Sequence, residues 1–164
     1  MMPHRARDVA TPLRFGLALG CALVTTSLLA PLAAAQGRSA EDTRIVDGYR
    51  LTMPVLRKVL PALYAPGAQT CPRDRNRDPH AMSIADMVAM LQRCAPVVQS
   101  LERAGVSVRH GAIVFTSMLR TGKAVALQSG NASAVAPGVL RDNALLLERN
   151  DPELKRLTKT GAPS

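Results

Sequence analysis

Aromatic side chains are almost missing from this chain. Phe, Trp and Tyr make up 2% of its 164 residues, and there is no tryptophan. Proteins that bind single-stranded nucleic acid stack successive bases on several aromatic side chains. The composition therefore disfavours that class, and we predict no nucleic-acid partner.

Charge is missing between Phe15 and Ala35, an apolar run that ends with the small residues of "LAAAQG". Three arginines precede it: Arg5, Arg7 and Arg14. A basic start, an apolar stretch and small residues before the cut are typical of a secretory signal peptide. We predict that residues 1–35 are a signal peptide and that the protein is exported, to the periplasm or outside the cell.

Two other interpretations of this run stay open. It is about long enough to span a bilayer, so it would also serve as a retained membrane anchor. Lipidation at Cys21 is the other alternative, although the preceding "LALG" is a poor lipobox and apolar sequence continues past it. Pro31 and the alanine-rich end favour cleavage, which leaves no transmembrane segment in the mature chain.

Cysteine is scarce as well. Of the three cysteines, Cys21 leaves with the signal peptide, so Cys71 and Cys94 remain. Haem attachment would require Cys-x-x-Cys-His, which does not occur. Two cysteines in an oxidising compartment are typical of one disulfide. Closing this loop would stabilise the fold by about 3 kcal/mol in the chain-entropy model.

The chain after the signal peptide is long enough for one domain with a modest core. Its net charge falls from +9 to +7, because three arginines and one aspartate leave. The start is polar, so we predict a flexible segment over residues 36–48. A single helical domain is predicted over residues 49–160.

Every clear periodic pattern in that domain is helical, and none alternates as a strand does. The strongest patterns cover residues 53–64, 83–95 and 107–127, with shorter ones at 96–104, at 139–149 and from residue 151 onward. Ser83 and Asp86 form a capping box, and Ser107 is expected to cap the next helix. We predict an all-α fold, a bundle of four to five short amphipathic helices with one disulfide.

The helix that begins after Ser107 is predicted to be central. Its apolar face includes Gly111 and Gly122, which would let a neighbouring helix approach closely. The polar residues Thr116, Ser117 and Thr121 are assigned to other faces or to solvent. Five methionines have two possible roles: they fill the core, or they line an adaptable pocket for an apolar ligand. These residues are Met53, Met82, Met87, Met90 and Met118.

Three stretches together resemble a family of small exported bacterial proteins. They are "DGYRLTMPVLRKVLPAL", "SIADMVAMLQRCAPVVQSLERAGVSVRHGAIVFTSML" and "LRDNALLLERNDPEL". The shared features are a tyrosine-led first helix, a "DMV" helix followed by a proline-started turn, and a long central helix. The resemblance implies export and an all-α fold. The family has no assigned function, so no catalytic residue is implied, and the two cysteines lie outside the shared pattern.

The segment "CPRDRNRDPH", residues 71–80, has the highest concentration of charged and metal-ligating residue types in the chain. Asp74, Asn76 and Asp78 fit the first ligand positions of a calcium loop, but Pro79 and Ala85 stand where that loop requires glycine and glutamate. The loop is therefore not predicted to bind calcium.

Metal and hydrolytic sites are weak alternatives for the remaining residues. A zinc site would draw on Cys71, His80, Cys94 and His110, whose spacing matches no known ligand pair. Ser107 near His110, and Asp86 near His80, lack a nucleophile context. We predict no metal, no cofactor and no catalytic residue.

Arginines give this loop its one remaining binding chemistry, because their planar forks suit phosphate groups. Arg73, Arg75 and Arg77 are the candidate anion-binding residues, although Asp74 and Asp78 cancel part of their charge. We therefore expect a non-enzymatic exported helical protein with a binding or accessory role towards an envelope partner. One alternative is a basic protein that associates with anionic envelope lipids or lipopolysaccharide. An unrecognised enzyme is the second.

Overall fold

The computed structural model describes residues 38–72 and 77–159. The predicted signal peptide lies outside these ranges. All the described residues belong to one compact unit. Within them, no helix combines the length and the apolar character needed to cross a membrane.

In the described part of the chain every regular element is helical, which confirms the predicted all-α class. Seven α-helices are present: α1 Ala40–Gly48, α2 Met53–Leu63, α3 Ile84–Gln92, α4 Ala95–Arg103, α5 Val108–Leu127, α6 Val139–Arg149 and α7 Asp151–Lys159. Short 3-10 turns lie at Ala68–Thr70 and Ala132–Ala134. The predicted count of four to five helices was too low. Helix α1 was not predicted, and α3 and α4, like α6 and α7, are separate helices although only one or two residues lie between them.

Helix α1 occupies most of the segment that was predicted to be flexible. Ser39 caps it, since its Oγ accepts a hydrogen bond from the Asp42 N–H at 3.0 Å. Acidic residues in the first turn also suit the positive end of the helix dipole. Val46 is its only buried residue. One buried side chain makes a weak apolar period, which is why the sequence pattern did not indicate this helix.

The long helix α5 is central, with α1, α3, α4 and α6 packed against it. Gly111 allows the close approach of α4, because a Cβ placed there would lie 3.1 Å from both terminal methyl groups of Leu101. Gly122 has no such role: it is exposed, and nothing lies within 4 Å of its Cβ position. The predicted close approach is therefore confirmed at one glycine and wrong at the other.

Three polar residues of α5 are buried, so of the two predicted placements, other faces of the helix or solvent, solvent is wrong for them. Thr116, Ser117 and Thr121 are 0%, 1% and 0% exposed. Thr116 Oγ1 donates to the Ala112 carbonyl and Thr121 Oγ1 to the Ser117 carbonyl, each at 2.8 Å. These bonds to the preceding turn satisfy the hydroxyls inside their own helix. Ser117 Oγ instead donates to the Val46 carbonyl of α1 at 3.2 Å, so α1 packs against α5 at this residue.

The core joins α2, α3, α4 and α5 in one cluster of buried apolar residues. Leu56, Leu60, Met87 and Leu101 are completely buried. The other methionines of interest also lie in or against this cluster: Met53, Met82, Met90 and Met118. Their packing favours the interpretation as core filling.

Candidate functional site

The arginine-rich loop is anchored where Cys71 meets Cys94. The two sulfur atoms lie at disulfide distance, and the Cα atoms are 5.2 Å apart. Cys94 is 4% exposed and immediately precedes α4. The predicted pairing of the two cysteines is confirmed in its geometry, and it places the beginning of the loop at the carboxyl end of α3.

The other end of the loop is tied to the amino end of α3. Arg77 Nη1 lies 3.1 Å from Asp86 Oδ1. Ser83 Oγ donates to Asp86 Oδ2 at 2.7 Å and accepts from the Asp86 N–H at 3.0 Å, so the predicted capping box is present. Cys71 is therefore held near the carboxyl end of α3, and Arg77 near its amino end. Of the candidate anion-binding arginines, Arg73 and Arg75 lie outside the described residues, and Arg77 engages Asp86.

Asp86 supplies a pH-dependent contribution to stability. The hydrogen bond from Ser83 lowers its pKa, and Arg77 acts in the same direction. A carboxylate with a lowered folded-state pKa stabilises the fold above its unfolded pKa of about 3.9, and that contribution is lost as the pH falls further. We expect wild type to be more stable than Asp86→Asn near neutral pH and the difference to shrink in acid.

Urea unfolding of both proteins between about pH 6 and pH 2 measures this difference. Glu102→Gln removes a negative charge from an exposed position on α4 and controls for net charge. A stability difference between wild type and Asp86→Asn that stays constant over the whole range would contradict the role assigned to Asp86.

The residues considered for zinc or hydrolytic chemistry are used differently. In the described ranges no three His, Cys, Asp or Glu side chains are grouped so as to hold a metal ion. Ser107 Oγ caps α5 by accepting from the His110 N–H at 3.2 Å. The His110 ring pairs instead with a residue that sequence reasoning did not connect to it: Tyr49 Oη lies 2.6 Å from His110 Nε2.

The Tyr49–His110 pair joins the α1–α2 connection to the first turn of α5. The two rings meet edge to face, with centroids 5.8 Å apart. Partial burial raises the pKa of Tyr49, because the phenolate loses hydration. An ultraviolet titration should therefore show one phenol ionising above the usual value of about 10. In Tyr49→Phe that transition should be absent, and its persistence there would contradict the assignment.

A charged cluster ties α1 to its neighbours and was missed by the sequence analysis. Asp42 Oδ2 accepts from the Ile84 N–H at 3.2 Å, and Arg120 Nε lies 3.1 Å from Asp47 Oδ1. Arg38 Nε donates to the Met82 carbonyl at 3.4 Å. Desolvation, followed by the charge of Arg120, lowers the pKa of Arg38. These contacts join residues far apart in sequence, and no local pattern indicates them.

Asn143 is a buried polar residue that was not identified from the sequence. It is 2% exposed and lies on α6. Its Oδ1 accepts from the Leu51 N–H and its Nδ2 donates to the Tyr49 carbonyl, both at 2.9 Å. One amide thereby satisfies two backbone groups of the connection between α1 and α2.

Helix α7 carries three basic residues on one exposed side. With 3.6 residues per turn, its three basic residues fall within about 100° of arc. Lys155 and Arg156 have side chains 69% and 74% exposed, and Lys159 is exposed as well. Leu154 and Leu157 occupy the opposite side and pack against the core. We call the surface formed by Lys155, Arg156 and Lys159 the α7 basic face.

The carboxylates of α7 are engaged at the sides of this face. Asp151 Oδ2 lies 2.7 Å from Lys155 Nζ. Glu153 pairs with Arg57 of α2 at 2.7 Å, and the hydrogen bond from Arg57 lowers the pKa of Glu153. Arg57 thus offsets one negative charge that would otherwise weaken the basic face.

Scans against protein-family models, curated proteins and solved structures found no match to this chain.

Proposed function

We propose that this protein is an exported, non-enzymatic helical protein that acts by binding. The carrying observation is that three of the four side chains considered for hydrolytic chemistry, Ser107, His110 and Asp86, serve the fold. Ser107 caps α5, His110 pairs with Tyr49, and Asp86 completes the capping box of α3. The two cysteines lie at disulfide distance from each other.

The methionines pack in the core, which favours a binding site on the outer surface of the protein over one between the helices. Met82 and Met87 are 7% and 0% exposed, and the other three lie against the same core cluster. Methionine that fills a core is not available as an adaptable wall for an apolar ligand. A partner would therefore contact the exterior of the helices.

Intact mass tests export and binding together, with protein recovered from the exported fraction of its own host. Under denaturing conditions we expect a chain that begins at Gln36 and lacks the two thiol hydrogens. Under native conditions, additional mass would identify a bound partner. A chain that retains residues 1–35 would contradict cleavage, and turnover of a bound compound would contradict the non-enzymatic role.

Association with anionic lipid is the second candidate function, and the α7 basic face specifically favours it. Clustered basic side chains attract anionic lipid surfaces, and salt screens the attraction. We expect the recovered protein to sediment with phosphatidylglycerol vesicles at low ionic strength and to be released by high salt. No sedimentation at low salt would remove this candidate.

A further inference from the structure

The exposed side of α7 is an open surface, where Pro152, Lys155, Arg156 and Lys159 line a wide depression and not an enclosed cavity for one small anion. Its basic residues stand on the convex outside of a helix, with Lys155 and Lys159 one turn apart and Arg156 beside them. Four helical residues rise by about 6 Å, so these side chains can reach several separate anionic groups at once. An extended array of charges complements this arrangement better than a single enclosed ion.

The apolar side of α7 limits how the helix can meet such an array. Leu154 and Leu157 face the protein core, where they pack against its main apolar cluster. A helix that inserts at a membrane interface directs its apolar side into the lipid. In this protein the apolar side of α7 is packed against the core. Contact between α7 and a membrane would therefore be electrostatic, with the helix lying on the lipid headgroups and not inserted among the acyl chains.

The neighbouring helix α2 supports the positive potential of this surface. Arg57 Nε and Nη2 donate to the two carboxylate oxygens of Glu153 at 2.7 and 3.3 Å. Glu153 also lies 4.0 Å from Arg156. Because Arg57 already neutralises this carboxylate from the side of α2, the Arg156 guanidinium stays available for outward contacts.

We propose that the α7 basic face is a docking surface for an anionic phospholipid bilayer, reached with α7 parallel to the membrane plane. This inference rests on the lipid-association function proposed above and specifies its site. Charge complementarity carries it: three exposed cations lie on one face, Arg57 of α2 pairs with Glu153, and the one other carboxylate of α7, Asp151, pairs with Lys155 at the edge. Each basic residue near an anionic bilayer strengthens binding by about fivefold, so the three together account for about 100-fold.

The test compares two triple variants of the protein recovered from the exported fraction. Lys155→Gln, Arg156→Gln and Lys159→Gln together neutralise the α7 basic face. The matched control carries Arg93→Gln, Arg109→Gln and Lys123→Gln, which remove the same charge from exposed positions elsewhere. Circular dichroism and thermal unfolding verify that both fold, as expected because exposed ion pairs contribute little to stability.

Partition onto vesicles of phosphatidylcholine with increasing phosphatidylglycerol is the measurement. We expect the α7 variant to bind about 100-fold more weakly than wild type in 0.1 M salt. The control should remain within about threefold, since charges farther away than about 10 Å are largely screened at 0.1 M salt. Asp151→Asn should bind more tightly than wild type, because it removes a carboxylate beside the basic face.

Three results would overturn the proposal. Equal losses in the two triple variants would mean that net charge, and not this face, drives binding. Wild-type binding to vesicles containing lipopolysaccharide but not to phosphatidylglycerol would assign the surface to another anion. If wild type binds neither kind of vesicle, the lipid-association function itself is lost, a result distinct from binding that is insensitive to α7.

Discussion

Replacing Asn143 with leucine is expected to lower the free energy of unfolding by about 3 kcal/mol, from the cost of burying unpaired backbone groups. The Leu51 N–H and the Tyr49 carbonyl would both lose their partner. Leucine has the same number of side-chain heavy atoms as asparagine but a larger volume, so no cavity would form, and some overpacking would add to the loss. Urea unfolding with an unchanged m-value is the measurement.

Asn150→Leu is the matched control on the same part of the chain. Asn150 Nδ2 donates to the Leu146 carbonyl at 2.8 Å, but the residue is only half-buried at the end of α6. Water can replace that bond, so we expect a loss below about 1 kcal/mol. Equal effects at the two positions would contradict the role of Asn143 as a buried clamp.

Asn143→Asp tests the same clamp through pH. A buried aspartate has its folded-state pKa raised by desolvation, so the variant should be destabilised at neutral pH. As the pH falls, the carboxyl group becomes neutral and can again donate to the Tyr49 carbonyl. The stability of Asn143→Asp relative to wild type should therefore recover in mild acid, and the absence of recovery would count against the geometry.

Removal of the Cys71–Cys94 bridge is expected to have a comparably large effect. The cysteines are 23 positions apart. Opening a loop of this length costs about 3 kcal/mol in the chain-entropy model, a large share of the 5–15 kcal/mol typical of a domain. Cys71→Ala with Cys94→Ala should therefore unfold at a markedly lower urea concentration than the oxidised wild type.

Wild type treated with reductant is the control for this variant. Its free energy of unfolding should lie within about 1 kcal/mol of that of the double variant, because alanine removes a single atom, the sulfur, from the buried Cys94. A reduced wild type as stable as the oxidised one would show that the loop needs no covalent closure. A double variant much less stable than reduced wild type would instead indicate that packing around Cys94 matters more than the bond.

Local signals predicted several details of this fold correctly. Ser83 and Ser107 were identified as helix caps, and both accept the expected backbone hydrogen bond. A cap bonds to a residue three positions ahead, so the information lies within one turn of sequence. The cysteine pair also followed from the sequence, because only two cysteines remain after Cys21 is assigned to the signal peptide.

Long-range contacts account for what the sequence analysis missed. Helix α1 has one buried side chain. The helix is anchored by three hydrogen bonds to residues at least 40 positions away: Asp42 accepts from Ile84, Asp47 from Arg120, and the Val46 carbonyl from Ser117. The hydroxyl of Ser117 on α5 is buried because it donates to the Val46 carbonyl of α1, 71 positions away. The spacing of apolar residues within one helix does not predict which other helix will pack against its polar side.

The sequence by itself determined the helical class, the main helix caps and the pairing of the cysteines, because these depend on residues near one another or on simple counting. The tertiary structure alone decided that the Tyr49 hydroxyl meets His110, that Asn143 satisfies two backbone groups, and that α7 turns its basic residues outward. Each of these depends on which distant surfaces pack together. Packing is a property of the whole chain, since burial of apolar area selects the arrangement and the polar groups must then find partners within it.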